Sequence, residues 1–211
     1  MAGIAVIIVG YTVLYSAVHS WLASQRMKHW TRRTLGPGTD RWYRLVYNLL
    51  AGLTLLPLLP MLALLPDRVL YTLPPPWLWL ALLGQFMAVA GIAYGAWLTN
   101  IWHFLGLCQL LGMPAGERLN CKPPLVVSGL YRWVRHPLYF LGLVLIWLTP
   151  QMTVNRLALF GVFSIYLYVG TFFEERRLVA EFGDRYRDYQ RQVPRLIPWR
   201  GPSWQSQGRG K

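Results

Sequence analysis

The sequence predicts an all-α integral membrane protein: a bundle of about five transmembrane helices with a short C-terminal helical hairpin and a cytoplasmic C-terminal helix. Of its 211 residues, 55% are hydrophobic and only 14% are charged, and the mean hydropathy is +0.31. Apolar runs of about 20 residues recur, each long enough for a helix to cross a hydrocarbon layer roughly 30 Å thick. These runs lack the polar face at a period of 3.6 that helices of soluble bundles carry, which excludes a soluble helical domain.

Five spans account for the apolar runs, and they lie near 3–22, 43–65, 77–98, 137–150 and 156–173. Pro57 and Pro60 should kink the outer half of the second span, because each removes one backbone donor. Gly91 and Gly95 form a small-xxx-small pair in the third span, which favours close packing against another helix. Only the short segment 150–155 separates the last two spans, so they are predicted to form an antiparallel hairpin.

Three further segments connect or extend the spans. Residues 24–35 mix basic side chains with Trp30, which is typical of a short helix lying in the membrane interface. The connection 99–127 is too polar for a span and too apolar for a free loop, so we expect a re-entrant or interfacial segment. Beyond Glu174 the last helix is expected to continue into the cytosol, with Gly183 as a point of bending. The predicted domains are the N-terminal spans with their connection (1–127), a C-terminal core (128–199) and a flexible tail (200–211).

The net charge of +13 would suggest a nucleic-acid partner in a soluble protein, but its distribution indicates membrane topology. All but two of the 21 Lys and Arg residues fall in the tail or in the connections 23–44 and 99–136, on one side of the predicted membrane. The exceptions are Arg68 and Arg156. The positive-inside rule then places the N-terminus outside and the C-terminus in the cytoplasm. We therefore expect membrane lipids as partners and no nucleic acid.

The cysteines and histidines predict neither a disulfide nor a metal site. Cys108 and Cys121 both fall on the predicted cytoplasmic side, where thiols stay reduced. Two cysteines and four scattered histidines also lack the spacing of a metal-ligand set. The N-terminal apolar run has no basic leader and no small-residue cleavage site, so it is interpreted as a retained first span.

Two polar motifs flank the predicted hairpin. The first reads Ser-Gly-Leu-Tyr-Arg-Trp-Val-Arg-His-Pro-Leu-Tyr at 128–139. The second begins with Glu174 and Glu175, continues through Phe-Gly-Asp-Arg-Tyr-Arg-Asp-Tyr at 182–189, and ends with Val-Pro-Arg-Leu-Ile-Pro at 193–198. A hairpin returns the chain to the membrane face that it left, so both motifs are expected to meet there. From the residues alone, the glutamates remain equally open to interpretation as exposed salt-bridge partners, and His136 as a residue at a helix start.

In this order, the two motifs resemble the C-terminal catalytic region of the isoprenylcysteine carboxyl methyltransferases. They are similar, more loosely, to the phospholipid N-methyltransferases and to the NnrU and methanethiol S-methyltransferase groups. The resemblance covers residues 125–198. It implies an integral membrane methyltransferase with S-adenosylmethionine as cofactor, acting on a lipophilic carboxylate, thiol or amine at the cytoplasmic face. The implied partner is a lipophilic small molecule or a lipid-tailed acceptor that enters from the bilayer.

The resemblance also assigns residues to the site. Arg135 and Glu174 are expected to be catalytic. The expected cofactor-binding residues are Val127, Gly129, Tyr131, Arg135, His136, Tyr139, Glu174, Glu175, Tyr186 and Tyr189. The chemistry suits the cofactor, because a carboxylate in a partly dry site is a natural partner for an ammonium or a sulfonium. The sequence departs from the family pattern at Leu141, where the family commonly has glycine and this chain has Gly142 one position later. A bulkier residue there could narrow the cofactor pocket or the acceptor tunnel.

Other functions remain open at this point. One is a small-thiol S-methyltransferase of the methanethiol type, or an NnrU-like protein. Another is an NADPH-dependent membrane reductase of the sterol-reductase type, a class with a related C-terminal membrane core. The last is a non-enzymatic membrane scaffold or transporter, in which the same residues are interface anchors and salt bridges.

Overall fold

The structure, a computed structural model, describes residues 2–111 and 125–202. The elements in chain order are the helices and strands α1 (Ala2–Ala23), α2 (Gln25–Leu35), α3 (Thr39–Leu55), α4 (Leu58–Leu64), β1 (Val69–Thr72), α5 (Trp77–Leu98), α6 (Ile101–Leu105), α7 (Leu107–Leu110), a 3-10 turn (Gly129–Arg132), α8 (Pro137–Trp147), β2 (Gln151–Thr153), α9 (Val154–Phe182) and α10 (Asp184–Gln192). The predicted all-α membrane class is confirmed.

Four helical stretches in the described residues are long and apolar enough to cross a membrane, and the protein is an integral membrane protein. They are Gly3–Ala23, Thr39–Leu64, Trp77–Leu98 and Val154–Phe182. Of the fourth predicted span, 137–150, residues Pro137–Trp147 form α8, an apolar helix of 11 residues, which is shorter than the roughly 20 residues that a crossing helix needs. The interfacial segment predicted at 99–127 begins with the two short helices α6 and α7, and its remainder at 112–124 lies outside the described residues.

The described residues divide into two compact units that interleave along the chain. The first contains residues 2–75, 99–111 and 150–163, and the second contains 76–98, 125–149 and 164–202. Helix α9 contributes its beginning to the first unit and the rest of its length to the second. The predicted domain boundary at residue 127 stays a prediction.

In the first unit, the core forms where α1, α4 and the beginning of α9 bury aliphatic side chains. Ile8, Leu58 and Leu159 are the buried members of this cluster. As predicted, proline interrupts the second span: α3 ends at Leu55, and α4 begins only after Pro57, which has no backbone donor. Asn48 on α3 donates its side-chain amide to the carbonyl of Leu105 at 3.0 Å, which is the helix-packing role expected of a polar residue in a span.

A short antiparallel ribbon of β1 and β2, which the sequence did not predict, closes the first unit. Its register pairs Val69 with Thr153 and Thr72 with Gln151. Asp67 lies just before β1, and its Oδ1 accepts the backbone N–H of Asn155 at 3.1 Å. Asn155 lies in the first turn of α9, so the carboxylate satisfies a donor that the helix itself leaves unpaired.

In the second unit, α5 and α8 pack closely because glycines on α5 receive leucines of α8. A Cβ atom placed on Gly91 would lie 2.7 Å from Leu141 Cδ1, and one on Gly95 would lie 2.7 Å from Leu138 Cδ2. The small-xxx-small prediction is thereby confirmed. Leu141, the residue that departs from the family pattern, packs in the space above Gly91 in this contact.

The C-terminal part of the second unit is bent as the sequence indicated. Helix α9 continues beyond Glu174 to Phe182, and Gly183 then adopts a φ of +59° before α10 begins. Such a backbone conformation favours glycine, since other residues pay a steric penalty there. The bend allows Tyr186 and Tyr189 of α10 to pack with Leu178 and Phe182 of α9 in one cluster.

Candidate active site

In the second unit, backbone hydrogen bonds join the first motif to the Val-Pro-Arg segment that ends the second motif. The N–H of Arg135 donates to the carbonyl of Pro194 at 2.9 Å, and the N–H of His136 donates to the carbonyl of Arg195 at 3.1 Å. Pro137 then opens α8 at a position where a helix needs no donor. The Arg-His-Pro segment is thus held in place by the Val-Pro-Arg segment that follows α10.

The centre of the site is the carboxylate of Glu175, whose side chain is only 4% exposed. Its Oε1 accepts Arg135 Nε at 2.8 Å and lies 3.3 Å from His136 Nε2. Its Oε2 accepts Gln190 Nε2 at 2.9 Å and Arg195 Nη2 at 3.1 Å. A buried carboxylate is tolerated only when it is paired and fully hydrogen-bonded, and both oxygens of Glu175 meet that condition.

Arg135 uses its remaining donors on the backbone. Its Nη1 donates to the carbonyl of Gln190 at 2.7 Å and to that of Val193 at 2.6 Å. The Arg135 side chain is 8% exposed. Its guanidinium therefore fixes the end of α10 and the segment after it to the start of α8.

Glu174, although adjacent in sequence to Glu175, has a different environment. Its side chain is 32% exposed; its Oε2 lies 3.3 Å from His136 Nδ1 and its Oε1 lies 3.9 Å from Arg177 Nη2. It also forms a side-chain hydrogen bond with Tyr139, whose ring stacks on that of His136 with centroids 5.4 Å apart. Of the two glutamates, Glu174 is thus the one accessible to a ligand.

His136 bridges the two glutamates, and its side chain is 4% exposed. Burial alone would lower the pKa of His136, but the hydrogen bonds and negative charges of Glu174 and Glu175 outweigh burial and raise that pKa above its ordinary value. The imidazole therefore tends to keep its proton, and it serves as a cationic link between two carboxylates.

The tyrosines of the second motif lie in the apolar cluster that adjoins this network. Tyr186 and Tyr189 are each 1% exposed, and Val127 packs against them. The hydroxyl of Tyr189 donates to the carbonyl of Tyr131 in the 3-10 turn. The hydroxyl of Tyr186 is buried, and among the described residues it has no hydrogen-bond partner. Burial raises the pKa of Tyr186, so this hydroxyl keeps its proton as a donor.

Gly129 explains why the first motif needs a glycine. It has a φ of +58°, and a Cβ atom there would lie 2.9 Å from Leu98 Cδ1 and 3.0 Å from the Tyr94 hydroxyl. Glycine alone fits this close approach of the 3-10 turn to α5.

The second unit brings together the residues that the sequence assigned to the site. Arg135, His136, Tyr139, Glu174 and Glu175 form one bonded network, while Tyr131 and Tyr189 share a hydrogen bond beside it. Two members of the network, Gln190 and Arg195, were not predicted. Arg195 stands in the Val-Pro-Arg motif that was recognised only as a pattern, and its guanidinium also lies 3.9 Å from the ring centroid of Phe172. The fold and the network define a helical membrane protein with a buried charged site.

Comparison with known proteins assigns the family. The methanethiol S-methyltransferase 1 of Bradyrhizobium diazoefficiens is 34% identical over 188 residues, which cover 89% of this chain and 64% of the relative. The methanethiol S-methyltransferase of Mycobacterium tuberculosis is 35% identical over 192 residues, which cover 88% of this chain and 75% of the relative. The protein-S-isoprenylcysteine O-methyltransferase of Schizosaccharomyces pombe is 39% identical over 80 residues, which cover 35% of this chain and 33% of the relative. No family model and no solved structure matches the chain.

The chain belongs to the isoprenylcysteine carboxyl methyltransferase-like family of membrane methyltransferases. The family and the enzyme class predicted from the two motifs are confirmed. The match covers 64% of the Bradyrhizobium protein, a little under two thirds of its length.

The environment of Glu175 leads to a stability prediction. Replacing Glu175 by Gln keeps the shape of the side chain but leaves Arg135 and His136 buried without their shared counter-charge. Breaking a buried ion pair in this way typically costs about 3–5 kcal/mol. We expect the thermal unfolding midpoint in detergent to fall sharply for Glu175→Gln. The matched control is Glu181→Gln, an exposed glutamate of the same helix, which should unfold like the wild type. Equal midpoints for all three proteins would contradict the role of Glu175.

Proposed function

We propose that this protein is an S-adenosylmethionine-dependent methyltransferase whose acceptor is a small thiol of the methanethiol type. The observation that carries the proposal is the asymmetry of the two glutamates. Glu175 has both oxygens hydrogen-bonded within the protein, whereas Glu174 keeps a partly exposed carboxylate. The same unit also holds the buried Tyr186 hydroxyl, which has no hydrogen-bond partner among the described residues. A site with those features suits a ligand that carries positive charge and several hydrogen-bonding groups.

The residues of the network fit the proposed cofactor. Glu174 is the accessible anion, and it would hold the ammonium or face the sulfonium of the cofactor. The Tyr186 hydroxyl would donate to an acceptor atom on the bound molecule, which would relieve the cost of a buried unpaired group. Arg177 and Arg195 are the more exposed cations, at 58% and 30% exposed, and either could pair with the cofactor's carboxylate.

Arg135 was expected to contact the cofactor, and its surroundings support a positioning role instead. Its bonds to Glu175 and to two backbone carbonyls hold α8, α9 and the segment after α10 together. His136, with a carboxylate on each side, orients Glu174 through a charged bond. These residues would therefore maintain the geometry of the site while Glu174 contacts the ligand.

S-adenosylmethionine, held by Glu174, would supply the methyl group for the thiol sulfur and would leave as S-adenosylhomocysteine. Orientation and exclusion of water are the main contributions that a protein makes to such a reaction. The described network suits this task, because Glu175, Arg135 and His136 are each less than one tenth exposed. No residue of the network is assigned as a base, since each ring nitrogen of His136 already lies 3.3 Å from a glutamate oxygen.

The small-thiol acceptor is favoured by the extent of the similarities. Relatives named methanethiol S-methyltransferase, such as those of Bradyrhizobium and Mycobacterium, align with almost nine tenths of this chain. The relative named for an isoprenylcysteine substrate aligns with 35% of it. A lipid-tailed acceptor is the second candidate, because identity over that shorter stretch reaches 39%. Membership of a methyltransferase family favours both over the reductase and the scaffold.

The orientation in the membrane is also a proposal, based on the asymmetry of the basic residues. A cysteine at position 70, on the exposed strand β1, should react with a membrane-impermeant maleimide from outside the cell. A cysteine at position 207 should react only after the cytoplasmic face is opened. Both variants are made with Cys108 and Cys121 replaced by Ser so that no native thiol adds a signal. Labelling at position 70 only from the cytoplasmic side would reverse the orientation.

The proposed role of Glu174 is tested by Glu174→Gln. The substitution removes the charge from the accessible carboxylate, while the contacts of Glu175 with Arg135, Gln190 and Arg195 stay in place. Loss of a charge-assisted bond costs about 1.5–3 kcal/mol, so the affinity for S-adenosylhomocysteine should fall roughly tenfold to a hundredfold. Calorimetry on the purified protein measures this, with Glu181→Gln as the control and the unfolding midpoint as the check on folding. Wild-type affinity in Glu174→Gln would reduce Glu174 to a surface salt-bridge partner.

The acceptor is tested with a series of thiols and prenylated carboxylates, using methyl-labelled S-adenosylmethionine. For a small-thiol enzyme, we expect methanethiol to be methylated and the apparent affinity to be independent of tail length. A lipid-tailed acceptor predicts the opposite, because each methylene that enters the bilayer contributes about 0.8 kcal/mol, or roughly fourfold in affinity. A steady climb with tail length would replace the first candidate by the second.

A further inference from the structure

The second unit exposes a short apolar segment that the proposed methyl transfer does not use. This segment comprises residues 196–200 and follows directly after Arg195. Ile197 and Trp199 are each 66% exposed, although their neighbour Leu196 is buried. The N–H of Trp199 donates to the carbonyl of Ile197 at 2.9 Å, and this tight turn keeps the two exposed residues near each other. Two large apolar side chains are thus presented together at the surface.

Arg195 shows at which level of the membrane the segment begins. At 157–173, α9 carries no charged side chain. At 1.5 Å per residue this stretch is about 25 Å long, most of the roughly 30 Å hydrocarbon layer. Phe172 lies near its end, two residues before Glu174, and the Arg195 guanidinium lies 3.9 Å from the centroid of the Phe172 ring. The segment therefore begins where the apolar part of α9 gives way to its charged part.

The start of α8 gives the same level independently. The N–H of His136 donates to the carbonyl of Arg195 at 3.1 Å, and Pro137 then opens this apolar helix, which packs along α5. The Cα of Ile197 lies no more than about 7 Å from that of Arg195, because only two residues separate them. The headgroup region of a bilayer is roughly 5–8 Å deep on each side. The segment is therefore within reach of the lipid headgroups.

The chemistry of the segment suits the headgroup region. Tryptophan is enriched at membrane interfaces because its ring has an apolar body and a polar N–H. The Arg200 guanidinium lies 4.1 Å from the centroid of the Trp199 ring. A guanidinium can stack on a ring and donate to a phosphate at the same time, since its donors lie in its plane. The sequence has no acidic residue after Asp188, so no carboxylate near the segment in sequence competes with a lipid phosphate.

We propose that residues 196–200 form an anchor in the membrane interface. The exposed isoleucine and tryptophan insert among the lipid headgroups, and the Arg200 guanidinium binds a lipid phosphate. The partner is the phospholipid bilayer itself. Because Arg195 donates to the buried carboxylate of Glu175, the anchor also holds this part of the charged network at the membrane. The proposal goes beyond methyl transfer and does not depend on it, since it concerns only where the segment lies.

A nitroxide label measures the position of the segment directly. The full chain, with Cys108 and Cys121 replaced by Ser, carries Ile197→Cys and is labelled in phosphatidylcholine nanodiscs. Oxygen concentrates in the apolar phase, whereas a nickel chelate stays in water. We therefore expect a higher ratio of oxygen to nickel collisions than in the matched control Asp188→Cys, an exposed position on α10. Equal ratios at the two positions would overturn the proposal. Low collision rates with both reagents would also overturn it, since protein rather than lipid would then cover the segment.

A second measurement tests the coupling of the anchor to the charged network. In Trp199→Ser the segment loses apolar contact with the bilayer, so it should detach more often and release the backbone donors of Arg135 and His136. Amide hydrogen exchange of the peptide that contains these donors should become roughly tenfold faster in nanodiscs. The matched control is Trp79→Ser at the start of α5, where the indole is also 66% exposed. Unchanged exchange in Trp199→Ser, or an equal rise in Trp79→Ser, would contradict the coupling.

Discussion

The charged site depends on the neutralisation of one buried carboxylate. Glu175 is almost wholly removed from solvent, and an isolated charge there would be strongly unfavourable. Its four partners come from the start of α8, from α10 and from the segment after α10. Satisfying this one group therefore requires three separate stretches of the chain to meet. The glycine at position 183 permits the turn that brings the last two of them back.

The burial of Glu175 also gives the two adjacent glutamates different roles. On one helix, consecutive residues project about 100° apart, so Glu174 and Glu175 cannot share one environment. Both carboxylate oxygens of Glu175 are hydrogen-bonded within the protein. The carboxylate of Glu174 is partly exposed, and His136 orients it. A buried structural charge beside an accessible one is a sound arrangement for recognising a cationic ligand, because the fold does not have to be disturbed for the ligand to bind.

Much of this organisation could be predicted from the sequence, and what could not has physical causes. Apolar length predicted the spans, and the proline at position 57 predicted the break between α3 and α4. The two motifs predicted which residues would meet. The identity of the buried glutamate was not predictable, since it depends on the rotation of α9 against α8. Arg195 and Gln190 were missed because they are distant from Glu175 in the sequence, and only the tertiary fold brings them into hydrogen-bonding distance. The β1–β2 ribbon was missed because four and three residues carry too weak a periodic signal.

The central claim is that the second unit holds a methyl donor. Two separate binding titrations, with one ligand each, test this claim most directly. Purified wild-type protein is titrated by calorimetry with S-adenosylhomocysteine and, separately, with NADPH. The account predicts saturable one-site binding of S-adenosylhomocysteine, whose ammonium the Glu174 carboxylate would hold, and no binding of NADPH, which has no ammonium for that carboxylate. Binding of NADPH without binding of S-adenosylhomocysteine would contradict it.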